Sequence, residues 1–396
     1  MKSTELDSDM AVDREILEFE DEMRKWRHAL HRHPETAFQE VETSRFVAAR
    51  LDEMGIPYTA GLAHTGIVAQ LGNGQGPKIA LRADMDALDI QEATDLRYAS
   101  EVEGKMHACG HDGHTTMLLG AAGVLSRKRD LPGTVYLIFQ PAEEFEAGAR
   151  KMIEEGLFER FPVSAVFGLH NWPGLAVGRA AVSSGPVMAG SGTFEITVAG
   201  KGTHAGMPQT GTDQILAAAR LIENAQGIVS REINPGEAAA VSFTKIHGGT
   251  AFNVIPETVH LAGTIRALSD PTLADIRERL EHHAGIVGRQ FGVEVTLSYT
   301  PGYPATFNDP RYAALARSAA GAVLEDRHID EQSPASMGSE DFAFMLAQRP
   351  GAYIWLGAGT DRAGLHSPHY DFNDDLLPIG VAYWVKLAEL ALRQEP

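Results

Sequence analysis

Apolar residues near the start of the chain recur at spacings of three and four. Ile16, Phe19, Met23, Trp26 and Leu30 make one stripe on a helix, which Pro34 ends. Beyond it, short apolar runs alternate with helical periods. Runs at 66–71, 78–82 and 134–139 read as strands, 115–125 as a helix, 352–356 as a strand and 381–392 as a final helix. VYLIF (135–139) and AVFGL (165–169) are almost unbroken in apolar residues. A strand needs that only when helices cover both its faces, so the pattern predicts an α/β fold with a mostly parallel sheet.

The texture changes at SSGPVMAGSG (183–192), which reads as a linker or hinge with Gly185, Gly190 and Gly192 able to absorb domain closure. After it come a strand at 193–199, a helix at 212–231, strands at 239–246 and 258–265, a helix at 271–289 and a strand at 293–299. That order is βαββαβ, the ferredoxin-like unit. TPGYPATFND (300–309) then returns to α/β patterning. The expected layout is a large domain in two parts, 1–186 and 301–396, with a smaller α+β domain inserted at 187–300.

Charge and composition narrow the partners. The 396 residues carry 34 Lys and Arg against 53 Asp and Glu, a formal charge of −19. That balance argues against nucleic acid or an anionic membrane surface as a partner. No run approaches the ~18 apolar residues of a membrane span. The acidic start, without an apolar core, does not read as a secretory signal, so a cytoplasmic location is expected. A single cysteine, Cys109, excludes an internal disulfide framework and suits a reducing compartment.

Candidate chemistry collects where strands end. Cys109 and His111 lie two residues apart in MHACGHDGH (106–114), a spacing that lets thiolate and imidazole meet one cation, although a histidine-rich turn without metal is the alternative. The strand at 134–139 runs into QPAEE, where Pro141 stops the ladder and Glu143 and Glu144 emerge at its carboxyl end, the ligand edge of open α/β sheets. An isolated Glu–Glu pair is more often a solvated turn. Here one carboxylate binding a cation while the other handles a proton would relieve their repulsion. GLHN brings His170 to the same edge, GLHSPH brings His366 and His369, and ADMDALD adds Asp84, Asp86 and Asp89, which either orient ligands or sit in solvated turns. No glycine cluster makes a phosphate-binding fingerprint, and Ser191 and Ser339 lack a nucleophile elbow.

Taken in order, HRHPE (31–35), RADMDAL (82–88), HACGHDGHT (107–115), QPAEE (140–144), GLHN (168–171), GKGTHAGMP (200–208), GGTAFNVIPE (248–257), MGSEDF (337–342) and GLHSPHYDFND (364–374) resemble the metal-dependent amidohydrolase family of aminoacylases, hippurate hydrolase and plant hydrolases of indoleacetyl amino acids. That family is related to dinuclear zinc carboxypeptidases.

The resemblance implies two divalent cations (Zn²⁺, Mn²⁺, Co²⁺ or Ni²⁺) held by Cys109, His111, Glu144, His170 and His366, with Glu143 as acid and base. An aspartate commonly bridges the metals in the wider family, whereas this branch uses the Cys/His pair, and the bridging ligand is left open. The resemblance further implies that the inserted domain is a lid and a homodimer surface. His204 would polarise the scissile carbonyl, with Asn253 and Arg266 holding the substrate and its carboxylate. Arg266 in a surface ion pair is the plainer alternative. The implied reaction is cleavage of N-acyl amino acids by cation-activated water. Dipeptidase, carboxypeptidase or N-carbamoyl amidohydrolase activity on the same fold is the alternative.

Overall fold

The computed structural model describes residues 12–128 and 130–393; the first part of the acidic start, 1–11, lies outside them. The chain divides into two compact units. One holds the residues up to Gly185 with Phe307–Pro334 and those from Asp341 onward, and the other holds Pro186–Thr306 with Ala335–Glu340. No helix among the described residues is long and apolar enough to cross a membrane.

The larger unit is built on an eight-stranded sheet in the order Tyr58–Leu62, Gly66–Gly72, Thr134–Gln140, Lys78–Asp84, Ala165–Pro173, Gly351–Gly359, Ala180–Ala181, Ile329–Asp330. Its centre, from Thr134–Gln140 to Gly351–Gly359, is parallel. The flanks differ from the expectation of a mostly parallel sheet. Gly66–Gly72 runs antiparallel to both of its neighbours, and Gly351–Gly359 pairs antiparallel with Ala180–Ala181. The tight connection at 63–65, where Ala63 and His64 both take positive φ, accounts for the first of these pairings, Tyr58–Leu62 with Gly66–Gly72, because a link that short can join only antiparallel strands.

Thr134–Gln140 is buried at every position, and the helices His111–Ser126 and Leu376–Ala391 are buried nearly throughout. From Met117 to Leu125 the first of these helices is apolar on all sides because sheet and helix neighbours enclose it. Burial of side chains such as Trp384 and Phe139 contributes about 1.5–3 kcal/mol each.

In the smaller unit the sheet order is Ala239–Gly248, Thr258–Ala267, Gly190–Ala199, Glu294–Pro301, antiparallel throughout. Phe194, Ile196, Val198, Leu261 and Ile265 alternate inward against the helices Gln214–Gly227 and Asp270–Phe291. Asp213 and Ser269 cap those helices through Leu216 N–H (2.9 Å) and Thr272 N–H (3.3 Å). The Gly/Ser stretch at 183–192 is not a loose linker, since most of it lies in the strands Gly185–Met188 and Gly190–Ala199. A Cβ on Gly192 would overlap the Tyr299 ring, so close packing rather than flexibility selects the small residue.

The first long helix, Glu20–Arg32, buries more than its apolar stripe. Arg27 and His31 are fully buried on it. Arg27 Nε donates to Asp374 Oδ1 at 2.7 Å and Nη1 to Asp371 Oδ1 at 3.1 Å, and His31 Nδ1 donates to Asp112 Oδ2 at 2.8 Å. Three segments are thereby tied beneath the loop 106–114. Burial alone would lower the His31 pKa, but Asp112 and Glu92 outweigh it and raise it to about 9. A pKa raised on folding adds stability that is complete below the ordinary value of ~6.5 and is lost as pH climbs through about 9, a contribution of order 3 kcal/mol. Urea unfolding of the metal-free protein is expected to weaken by about that amount between pH 6 and 10 relative to His31→Gln, which keeps a donor but does not titrate. Identical pH profiles for the two proteins would contradict this.

Candidate metal centre

Each candidate ligand is aimed by a local constraint. Gly110, between Cys109 and His111, has φ 95° and precedes the helix that His111 opens. A Cβ there would overlap the Asn171 side chain and lie 2.6 Å from Tyr370 Oη, so only glycine lets the chain turn between the two ligands. His170 sits within the Ala165–Pro173 strand rather than beyond it. His366 follows the Gly351–Gly359 strand in a left-handed conformation (φ 62°), and its N–H donates to Ala108 O at 2.8 Å, which holds that loop beside Cys109. Past Pro141, Ala142, Glu146 and Ala147 also have positive φ, each costing ~1–3 kcal/mol. The surroundings over-determine that loop: Glu144 N–H donates to Asp86 Oδ2 (2.9 Å), Gly148 N–H to Ala142 O (3.0 Å) and Ala149 N–H to Asp341 Oδ2 (2.8 Å).

These segments converge. Cys109 Sγ and His170 Nε2 are 3.3 Å apart, and Glu144 Oε1 lies 3.2 Å from His366 Nε2 and 3.9 Å from His111 Nε2. Ligand atoms of Cys109, His111 and His170 fall within 4.8 Å of one another, as do those of Cys109, Glu144 and His366, and those of His111, Glu143 and Glu144. Two donors on one tetrahedral Zn²⁺ would be about 3.5 Å apart, given Zn–S ~2.3 Å and Zn–N ~2.0 Å. His111 Nε2 and Glu144 Oε1 are buried without any hydrogen-bond partner, which costs ~1–3 kcal/mol per group unless a cation takes them. His111 Nδ1–H donates to Asp86 O (2.9 Å) and His170 Nδ1–H to Asn171 O (2.6 Å), which leaves each Nε2 lone pair turned to the cluster. The residues fit a divalent cation.

The electrostatics agree. Burial, with Glu144 and Glu143 alongside, pushes the Cys109 thiol well up, and burial beside His114 pushes His170 well down. Burial would also lower His111, but Asp84, Asp86 and Glu144 outweigh it and raise it to about 10. A neighbouring divalent charge reverses the thiol and His111 shifts, favouring the thiolate and the neutral imidazole needed for ligation.

Asp84, His111 and His114 form a further grouping, but it is already satisfied. Asp84 Oδ1 accepts from His114 Nδ1 (2.6 Å) and Asp84 Oδ2 from Arg82 Nη1 (2.7 Å), while His114 Nε2 accepts Asn171 N–H (3.1 Å). Asn171 Nδ2 then donates to Tyr370 Oη at 2.6 Å. Arg82, His114, Asn171 and Tyr370 thus brace the site; none was singled out from the sequence, and only their place inside the quoted motifs hinted at them. Two candidates stand apart. Asp89 is exposed, and His369 is exposed with Nδ1–H donating to Ala93 O (2.7 Å), so neither joins the ligand cluster.

His204, Asn253 and Arg266 belong to the smaller unit. His204 lies opposite Val254 in a two-stranded ribbon, and Ala205 N–H donates to Asn253 O (2.9 Å), so His204 and Asn253 are exposed neighbours. His204 Nδ1 accepts from Gly206 N–H at 3.0 Å, which puts the ring proton on Nε2. Arg266 is half-buried, bonded to Ile265 O (3.0 Å) and the Thr264 hydroxyl, with no carboxylate partner among the described residues; burial lowers its pKa. An ion pair there, the plainer reading, is not found among the described residues.

Residues 80–390 match the model of peptidase family M20/M25/M40. An IAA-amino acid hydrolase of Arabidopsis thaliana, ILR1-like 4, is 42% identical over 383 residues, covering 94% of this chain and 86% of its own. N-acetylcysteine deacetylase of Bacillus subtilis is 40% identical over 370 residues, covering 92% of this chain and 96% of its own. The crystal structure of a Bacillus subtilis protein described as a dinuclear metal-binding peptidase of family M20 aligns with a TM-score of 0.84 at 36% identity, covering 95% of this chain and 99% of that one. With its ligand cluster and a match over most of its length, the chain belongs to the M20/M25/M40 peptidase family, as a hydrolase of amide bonds.

Proposed function

We propose that the chain deacylates N-acyl amino acids, with Cys109, His111, Glu144, His170 and His366 holding two divalent cations and Glu143 moving the proton. The observation that carries this reading is the division of labour between adjacent carboxylates. Glu144 Oε1 lies between His111 and His366, whereas Glu143 is buried beside them with Oε1 accepting Asp341 N–H at 3.2 Å. When bound, such cations lower the pKa of a water toward ~7 and polarise a carbonyl. Glu143 takes the proton of the attacking water and delivers it to the leaving nitrogen. His204 Nε2–H donates to the carbonyl oxygen as its charge develops, and Asn253 orients the amide. Arg266, lacking a carboxylate of its own among the described residues, pairs with that of the substrate.

The mixed S, N and O donors suit Zn²⁺, Mn²⁺, Co²⁺ or Ni²⁺. The smaller unit is proposed as lid and homodimer surface, supported by exposed Ile246, Phe252 and Val254 around its edge strand, and the location as cytoplasmic. The relatives' names support N-acyl amino acids as substrates.

A panel of N-acetyl, N-benzoyl and N-carbamoyl amino acids and dipeptides tests the substrate class; turnover of dipeptides alone would refute deacylation. Glu143→Gln is expected to lower kcat by about 10²–10⁴-fold while metal content by atomic emission stays at the native value. Dialysis against a chelator should abolish turnover and added Mn²⁺ or Zn²⁺ restore it, and an unchanged rate in the metal-free protein would refute the cation reading. Arg266→Leu is expected to raise KM about 10–100-fold for N-acyl amino acids, corresponding to ~1.5–3 kcal/mol, and to leave their carboxamide analogues unaffected.

A further inference from the structure

The loop after Thr134–Gln140 must present Glu143 from a left-handed residue, Ala142 (φ 57°), which an L-residue leaves readily unless something holds it. What holds it comes from about a hundred residues earlier in the chain. Glu40, the residue before the Val41–Glu53 helix, is fully buried. Its Oε1 accepts the N–H groups of Ala142 (2.9 Å) and Phe38 (3.1 Å), and its Oε2 accepts the Thr65 hydroxyl (2.7 Å). Each of these partners is a donor, so both Glu40 oxygens serve as acceptors. On the other side of Glu143, Asp86 Oδ2 takes the Glu144 N–H at 2.9 Å. Glu143 therefore lies between two N–H groups, those of Ala142 and Glu144, each gripped by a buried carboxylate. Asp86 also braces His111, whereas Glu40 belongs to none of the cation-sized groups among the described residues.

We infer that Glu40 is a positioning residue: by fixing the Ala142 peptide it sets the direction of the Glu143 carboxylate, and it supports the reaction through that aim alone. This rests on the reading of Glu143 as the proton carrier. Without Glu40 the Ala142 N–H is buried with no acceptor and its left-handed torsion is held only from the carbonyl side, by Gly148 N–H, so the loop relaxes. A displacement of ~1 Å at a reacting group costs on the order of 10²-fold in rate.

Kinetics on the best substrate of the N-acyl panel, with metal content measured on the same samples, test the inference. Glu40→Ala is expected to lower kcat about 100-fold with KM within about twofold and native metal content. Glu40→Gln is expected to recover to within about threefold of the native rate, because its carbonyl oxygen can take both N–H groups while its NH₂ donates to the Thr65 hydroxyl. If the alanine variant does not fold, Glu40→Asp, which withdraws the carboxylate by one methylene, is expected to lose about 10-fold in kcat with the same KM and metal content. Native turnover in Glu40→Ala (or in Glu40→Asp), with Glu143→Gln inactive, overturns the inference alone; native turnover in Glu143→Gln overturns the reading beneath it. A loss that merely follows lost metal, or a glutamine variant as slow as the alanine one, overturns the inference as well.

Discussion

The arrangement of the larger unit depends on one electrostatic constraint: a thiol, three imidazoles and a pair of adjacent carboxylates are crowded together, most of them away from water. Alone, such a set is unfavourable. The thiol is driven toward its neutral form, His111 toward its charged form, and buried atoms lack partners. Only a positive charge at their centre reconciles them. The nearby architecture keeps the set from relaxing apart, through Gly110 between two ligands, the strained turn before Glu143, and the bonded chain from Arg82 through Asp84, His114 and Asn171 to Tyr370.

The sequence made some of this legible for definite reasons. Continuous apolar runs such as VYLIF can only be strands covered on both faces, and the residues that follow them reach the ligand edge whatever the neighbouring loops do, which is why Glu143, Glu144 and His170 could be placed. Pairing direction was less legible: Gly66–Gly72 has the composition of a parallel strand, yet it pairs antiparallel with Tyr58–Leu62 across the turn at 63–65 and with Thr134–Gln140 far along the chain. Gly190 and Gly192 were misread because the sequence does not distinguish a residue chosen for freedom from one chosen for lack of bulk, whereas Gly185, at φ 87° where the two units divide, does use that freedom.

Buried polar residues were the hardest to read. Arg27, His31 and Glu40 have the look of solvent-facing positions, and only partners far along the chain, 344 and 347 residues away for Arg27, 81 for His31 and 102 for Glu40, reveal them as interior. The same limit explains why His369 fell away while His366 did not. His366 and His369 are three residues apart in one motif, yet the left-handed turn at His366 directs one imidazole to Glu144 while the other bonds to the Ala93 carbonyl.

The tie between Arg27 and the pair Asp371 and Asp374 bears on biosynthesis. It joins the first long helix to a segment 344 to 347 residues further along the chain, and the same later segment carries His366. A nascent chain can therefore stack much of its sheet early but cannot seal the pocket until that segment has left the ribosome. Until then the Arg27 guanidinium has only Asp112 of its three carboxylate partners, and a polypeptide truncated before Asp371 would keep its interior open.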